Sequence, residues 1–109
     1  MSAPRVVQIQ VAHDDRLTLG AMLDTLLEER LIACGQILGP IESAFRWEGA
    51  VRHEREWLGL MKTGTDARER LIARIVELHS YDVPEILVIE IAGGHAPYLQ
   101  WVAEQVQTG

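Results

Sequence analysis

The chain has 109 residues, which allow one domain over residues 1–109 and leave no room for a second core of useful size. Hydrophobic residues make up 48% and charged residues 24%, a balance typical of a globular protein and not of a disordered one. The formal net charge of −6, from 16 acidic and 10 basic side chains, would repel a phosphate backbone, so we expect no nucleic-acid partner.

The amino terminus and the single cysteine indicate where in the cell the protein is located. Residues 1–5 run directly into an alternating apolar segment and lack the apolar stretch and cleavage site of a signal peptide. No uninterrupted apolar stretch is long enough to span a bilayer. Cys34 is the only cysteine and cannot form an internal disulfide, in agreement with a reducing compartment. We expect a cytoplasmic protein with no membrane partner.

The first third of the chain predicts a strand and a helix. Apolar side chains at every second position indicate a strand over residues 5–11. Residues 13–15 are polar and can accept hydrogen bonds from the free amides of a helix start, and helical spacing follows over residues 15–30. Because Gly20 weakens this helix by about 1 kcal/mol relative to alanine, we interpret it as a sign of close packing against a neighbouring element.

A long β-hairpin is predicted next. Residues 31–47 form one strand with a bulge or kink at Gly39-Pro40, because proline cannot donate to a sheet ladder. Gly49 can adopt the positive φ of a tight turn, so residues 51–62 return as the second strand. Both arms exceed the typical strand length of about 5–6 residues and expose backbone groups that need a partner. This favours oligomerisation.

The last third predicts a helix, a strand and a helix. Residues 63–66 supply a turn and cap for an amphipathic helix that ends near His79. Pro84 disfavours helical geometry at the residue before it, and residues 86–91 then form a strand whose nearly continuous apolar character indicates a central position. A final helix begins around Pro97, whose fixed φ suits a first helical turn.

The order of these elements predicts an α+β fold. Strand-helix-strand followed by strand-helix-strand is the split βαβ pattern of a ferredoxin-like, four-stranded antiparallel sheet, with the two longer helices on one face. In a chain this short, the last helix can cover only part of the other face. We therefore expect packing of sheets between subunits.

Five segments resemble a known family. They are residues 27–34, 45–49, 60–63, 78–86 and 97–101, with the sequences LEERLIAC, FRWEG, LMKT, LHSYDVPEI and PYLQW. In this order and spacing they resemble the CutA divalent-ion tolerance proteins. The resemblance implies a fold similar to that of PII-type signalling proteins, a tight homotrimer with inter-subunit sheets, cytoplasmic location in bacteria, and a role in tolerance of copper and other divalent ions.

The chain departs from the family pattern at two places. The family usually has His-Pro-Tyr where this chain has His79, Ser80 and Tyr81, so a rigid turn residue is lost and its neighbours are kept. Some copper-linked members carry a cysteine near the end of the first strand, and this chain has Gln10 in that region. A copper site that depends on that thiol cannot exist here, so we expect weaker copper binding than in relatives that have it.

Three residues are candidate ligands for copper or another divalent ion: Cys34, His79 and Glu85. Thiolate and imidazole suit copper best, although the spacing forms no recognised ligand motif. Each residue has a structural alternative. Cys34 begins an apolar strand, where a free cysteine is typically a small buried hydrophobe. His79 suits a helix C-terminal cation or a hydrogen-bonding turn residue better than a metal ligand, and Glu85 equally suits a salt bridge. No cofactor is expected to be obligatory.

Four residues that match family positions are candidates for an inter-subunit cleft that binds a small anion or metabolite: Trp47, Lys62, Tyr81 and Trp101. Ligand sites combine apolar walls with a few polar groups. The alternative is interface packing, because aromatic side chains supply large contact areas at low entropic cost.

The other histidines and the search for a catalytic motif give no further site. His13, His53 and His95 are predicted in loops or exposed strand and are expected to be solvated. Gly93-Gly94 precedes no lysine-bearing phosphate motif, and Cys34 has no histidine nearby in sequence, so we expect no enzyme.

Three functions remain open at this stage. The first is a trimeric metal-tolerance protein that binds metal ions at inter-subunit clefts. The alternatives are a PII-like regulatory module that binds a small anionic metabolite and a protein-interaction scaffold.

Overall fold

The computed structural model describes residues 4–106. Its elements in chain order are β1 (Val6–His13), α1 (Arg16–Glu28), β2 (Cys34–Trp47), β3 (Ala50–Gly64), a 3-10 turn (Thr65–Ala67), α2 (Arg68–Leu78), β4 (Ile86–Glu90) and α3 (Ala96–Gln105). The strands form one antiparallel sheet in the order β2-β3-β1-β4. The predicted α+β composition, element order and four-stranded antiparallel sheet are confirmed. None of the helices described over residues 4–106 has the length and apolar character needed to cross a membrane.

Helix α1 begins at a side-chain cap, as the sequence predicts. The Asp15 carboxylate accepts hydrogen bonds from the backbone N–H of Leu17 at 3.0 Å and from that of Thr18 at 3.5 Å. These bonds satisfy amides that have no partner inside the helix.

The end of α1 depends on Arg30. Arg30 has a φ of 58° and so takes the left-handed conformation that reverses the chain after a helix. Its guanidinium donates hydrogen bonds to the carbonyl oxygens of Glu104 at 3.2 Å and Gln105 at 3.1 Å. One residue therefore terminates α1 and caps the last carbonyls of α3, where a cation is favourable.

The main core lies between the sheet and the two helices α1 and α2. It consists of apolar side chains from β1, β3, both helices and the connection between α1 and β2: Val7, Ile9, Val11, Leu19, Met22, Leu23, Leu26, Ile32, Met61, Leu71 and Ile75. This confirms that the two longer helices share one face. The alternation in β1 sets its inward-facing residues, because side chains two positions apart point to the same side of a strand.

The interpretation of Gly20 as a close-packing position is wrong. A Cβ at Gly20 would lie 4.0 Å from Cδ1 of Ile37, which is an ordinary van der Waals distance. Close approach occurs instead at Gly35, where a Cβ would lie 2.7 Å from Cδ2 of Leu23. The helix-breaking cost of a glycine therefore does not identify the tight contact.

Strands β2 and β3 form the predicted long, kinked hairpin. Their pairing register shifts between Leu38 and Ile41, at the Gly39-Pro40 pair. Glu48 and Gly49 both have positive φ, of 49° and 80°, as a tight two-residue hairpin turn requires. Residues 41–47 and 50–56 pair with each other beyond the end of β1, and we call this part of the hairpin the arm.

The prediction that the strand at residues 86–91 is central is wrong. Strand β4 pairs with β1 and forms an edge of the sheet, because the other side of β1 is taken by β3. Leu87 is 49% exposed, and Val88 and Ile89 are also exposed. The apolar run that suggested burial on both faces is therefore left open within the chain.

Helix α3 covers one end of the sheet face opposite α1 and α2, which we call the outer face. A second, smaller core joins α3 to this end: Val6, Ala33, Ala67, Leu99, Val102 and Val106. Farther along, Leu38, Leu87 and Ile89 remain exposed on the outer face. The partial cover predicted from chain length is confirmed.

Candidate functional site

A cleft of about 690 Å³ lies between the arm and the loop that joins α2 to β4. Three of the candidate site residues line it: Trp47 from the arm, Tyr81 from the loop, and Glu85 next to β4. Its size lies within the usual range of about 300–1,000 Å³ for ligand sites. Glu56, from the base of the arm, also lines it.

Tyr81 is held by a carboxylate that the sequence did not single out. The Tyr81 hydroxyl donates a 2.8 Å hydrogen bond to Oε2 of Glu56, which is 6% exposed. Burial first, and then this bond to Glu56, raise the pKa of the Tyr81 phenol well above its usual value near 10. The phenol therefore stays protonated at neutral pH and acts as a donor to the carboxylate.

His79 is a buried, fully hydrogen-bonded residue. Its Nδ1 accepts the backbone N–H of Tyr81 at 3.1 Å, so the proton lies on Nε2, which donates to the carbonyl oxygen of Ala12 at 2.8 Å. With both ring nitrogens engaged, the imidazole fixes the loop before Tyr81 against the end of β1. Metal coordination by His79 would require one of these bonds to break.

The prediction that His13 is solvated is wrong. His13 is 1% exposed, its ring stacks on that of His79 with centroids 4.4 Å apart, and its Nδ1 accepts the backbone N–H of Asp15 at 2.9 Å. Burial, followed by repulsion from His79, lowers the pKa of His13, although the carboxylates of Asp14, Asp15 and Glu56 oppose this. The period of two in β1 already carries the signal, because His13 follows the inward-facing Val11.

The remaining histidines lie where the sequence places them. His53 is exposed on β3, with its Nδ1 3.5 Å from Oε1 of Glu42, and His95 is exposed directly before α3.

A second group of candidate residues lies near α3 and the strands beneath it. Cys34 and Lys62 are register partners on β2 and β3. The Cys34 thiol is 3.3 Å from the Tyr98 hydroxyl, and the Tyr98 ring lies 5.7 Å from that of Trp101. The hydrogen bond with Cys34, followed by burial, raises the pKa of Tyr98 to about 12.

Lys62 is engaged within this second group. Its Nζ donates a 2.7 Å hydrogen bond to Oε1 of Gln36. Lys62 and Trp101 do not line the cleft that contains Trp47 and Tyr81. Within one chain, Trp47 and Tyr81 therefore share a cleft that Lys62 and Trp101 do not line.

The three candidate metal ligands do not form one cluster within the chain. Glu85 is exposed and its Oε2 accepts a 3.0 Å hydrogen bond from Nε2 of Gln10, whereas His79 is buried and Cys34 lies beside Tyr98. Over residues 4–106, no group of three or more histidine, cysteine, aspartate or glutamate side chains could hold a metal ion. One chain thus offers at most isolated ligands in its described part.

Comparisons with known proteins all point to one protein family. A model of the CutA1 divalent ion tolerance protein family matches residues 7–105. A divalent-cation tolerance protein CutA of Thermus thermophilus is 46% identical over 79 residues, which make up 72% of this chain and 77% of the relative. The chloroplastic protein CutA of Arabidopsis thaliana is 37% identical over 101 residues, 93% of this chain and 55% of the plant protein.

Solved structures agree with the sequence relatives. The crystal structure of CutA1 from Oryza sativa superimposes with a TM-score of 0.94 at 28% identity and covers 98% of each chain. The Thermus thermophilus divalent cation tolerance protein has a TM-score of 0.90 at 35% identity, over 94% of this chain and 99% of that one. The match spans both the sheet and the arm, and the chain belongs to the CutA1 family of divalent ion tolerance proteins.

Proposed function

We propose that this protein is a non-enzymatic, cytoplasmic homotrimer that contributes to tolerance of copper or another divalent metal ion. The tolerance role is supported by the family match over residues 7–105 and by relatives named divalent-cation tolerance proteins. Some relatives carry other locations in their names, chloroplastic in Arabidopsis thaliana and periplasmic in Archaeoglobus fulgidus. The free Cys34 is compatible with the cytoplasm.

The observation that carries the homotrimer is the open outer face. Its side chains Leu38, Leu87 and Ile89 are 52%, 49% and 39% exposed, and they lie on a sheet edge and hairpin that offer unpaired backbone groups. Packing against the same sheet of a second copy would bury these side chains. The number three and the ferredoxin-like description of the subunit come from the family resemblance, and the strand order β2-β3-β1-β4 supports the latter.

Metal binding, on this proposal, occurs weakly at clefts between subunits. The described part of one chain supplies no three-ligand cluster, so a site needs ligands from more than one copy. Glu85 is the best placed of the three candidates, because it is exposed and its partner Gln10 is a neutral amide. Gln10 stands in the region where some copper-linked relatives carry a cysteine, which is why weak binding is expected.

Two measurements test this proposal. Sedimentation equilibrium should give three times the chain mass, and Leu87→Arg should shift the protein toward smaller species. Val76→Arg is the matched control, because Val76 is 52% exposed on α2, away from the outer face. A stable monomer in the unmodified protein would refute the trimer.

Copper binding is measured separately. A Cu(II) titration at neutral pH should show weak binding that Glu85→Gln reduces and that Glu28→Gln, an exposed carboxylate on α1, leaves unchanged. Tight stoichiometric binding, or no binding at all, would contradict the metal site.

A second role, as a small-molecule-binding regulatory module, is favoured by one observation: Trp47 and Tyr81 line the same cleft. Lys62, the cation expected to hold an anionic metabolite there, does not line it. Saturable binding of a small molecule that perturbs Trp47 would support this role.

A further inference from the structure

We propose that the cleft between the arm and the α2–β4 loop binds an organic ammonium ion, such as a protonated aliphatic amine. The inference rests on the small-molecule role of the cleft and assigns a cation in place of the small anion that the sequence left open as an alternative. It uses residues of one chain, of which Glu85 is also the candidate copper ligand.

The charge of the lining favours a cation. The cleft is lined by five carboxylate residues and two guanidinium residues: Asp14, Glu54, Glu56, Asp82 and Glu85 against Arg46 and Arg52. An anionic metabolite would meet a net negative surface, whereas a protonated amine would be attracted to it.

Glu56 is the one buried carboxylate among the residues that line the cleft. It is 6% exposed and lines the cleft, and among residues 4–106 its carboxylate accepts one hydrogen bond, from the Tyr81 hydroxyl to Oε2. A carboxylate withdrawn from water requires several hydrogen bonds or an ion pair to offset lost solvation. An ammonium group in the cleft would supply donors and the opposite charge.

The walls suit the organic part of such a ligand. Phe45, Trp47 and Tyr81 line the cleft, and Phe45 and Trp47 are 38% and 39% exposed. Aromatic faces attract ammonium groups through the ring quadrupole and pack against the attached carbon chain. Carboxylates and aromatic rings together recognise an amine on a carbon frame.

A bare metal ion suits the cleft less well. Divalent ions need several converging ligands, and the part of the chain between residues 4 and 106 contains no group of three that could supply them. An ammonium ion needs one close carboxylate and an apolar wall, which Glu56 and Trp47 supply.

The three tryptophans provide a direct readout. The probe is cadaverine, a five-carbon diamine that is doubly protonated at neutral pH, added to the full chain labelled with ¹⁵N. Trp47 lines the cleft, and Trp57 and Trp101 do not. We expect cadaverine to shift the indole N–H resonance of Trp47 saturably and to leave the other two in place.

Matched ligands and variants isolate the charge. Glutarate, of equal length and opposite charge, and magnesium chloride at equal ionic strength should not shift Trp47. Glu56→Gln keeps an acceptor for Tyr81 and should weaken cadaverine binding on the order of tenfold, because charge-assisted hydrogen bonds are roughly twice as strong as neutral ones. Exposed Glu85→Gln should weaken it by about two- to fivefold. Glu28→Gln, outside the cleft, should leave the affinity unchanged.

Three results would overturn the inference: no saturable shift of Trp47 with cadaverine, an equal shift with glutarate or magnesium, or unchanged affinity in both Glu56→Gln and Glu85→Gln. Glu85 is exposed, so its variant carries the test where Glu56→Gln fails to fold. If another small molecule shifts Trp47 while cadaverine does not, the small-molecule role stands and the ammonium assignment fails.

Discussion

The two faces of the sheet carry similar aliphatic side chains but bury them to different extents. Ile9 and Leu26 are fully covered between the sheet, α1 and α2, whereas Leu38 and Leu87 on the outer face expose about half of their surface. Among residues 4–106, α3 covers the end of the outer face near Val6. Alternation along a strand therefore determines which face a side chain points to, and the number of covering helices decides whether it is buried.

The largest expected contrast comes from truncating one leucine on each face. Leu26→Ala removes a fully buried side chain and should lower the free energy of unfolding by about 2–5 kcal/mol. Leu38→Ala removes a half-exposed one and should change the folding of the single chain by less than about 1 kcal/mol.

Urea denaturation followed by circular dichroism measures the first effect, and sedimentation measures the change in association expected for Leu38→Ala. Equal losses of folding free energy in the two variants, with unchanged association, would remove the difference between the faces.

An intermediate effect is expected from pH, at the buried end of β1. The lowered pKa of His13 means that the unfolded chain takes up a proton near pH 6.5 before the folded chain does. Stability from the neutral ring is therefore present above pH 6.5 and is lost as the pH falls toward the folded-state pKa. His13→Asn keeps an acceptor for the Asp15 amide and should flatten this dependence.

The pH effect is measured as urea midpoints between pH 5 and pH 8 at fixed protein concentration. His53→Asn is the control for replacing a histidine, because that side chain is exposed on β3. If the His13→Asn midpoints fall with acid as steeply as those of the unmodified protein, another group titrates.

The smallest expected effect comes from adding a methyl group, instead of removing a side chain, on the face that α1 and α2 cover. Gly20→Ala has room for its methyl group near Ile37 and should stabilise α1 by about 0.5–1 kcal/mol. Gly35→Ala is the matched contrast, because its methyl group would press on Leu23 and should destabilise the protein. Thermal unfolding that moves both variants in the same direction would contradict the packing described for this face.

The sequence predicts the helices and strands more accurately than it predicts which strands pair with each other. The split βαβ order, the kink at Gly39-Pro40 and a helix cap within residues 13–15 follow from local rules, and all three are present. The position of β4 is not local. An apolar run indicates burial, but strand order is set by pairing partners, which place β4 at an edge.

For the same reason, two of the four candidate cleft residues meet within one chain and two do not. Trp47 and Tyr81 share a cleft because the arm brings residues far apart in sequence together, while Lys62 faces Gln36 elsewhere on the sheet. Glu56 was missed, since an acidic residue in a strand gives no sign that a tyrosine 25 positions away will hydrogen-bond to it.

Arg30 places two demands on one position of the chain. Its left-handed backbone would favour glycine, the residue that designers most often introduce after a helix. Arg30→Gly would relax that backbone and also remove the two hydrogen bonds that the Arg30 guanidinium donates to the last turn of α3. A substitution that looks like an improvement of α1 would thus weaken the attachment of α3, which covers one end of the outer face.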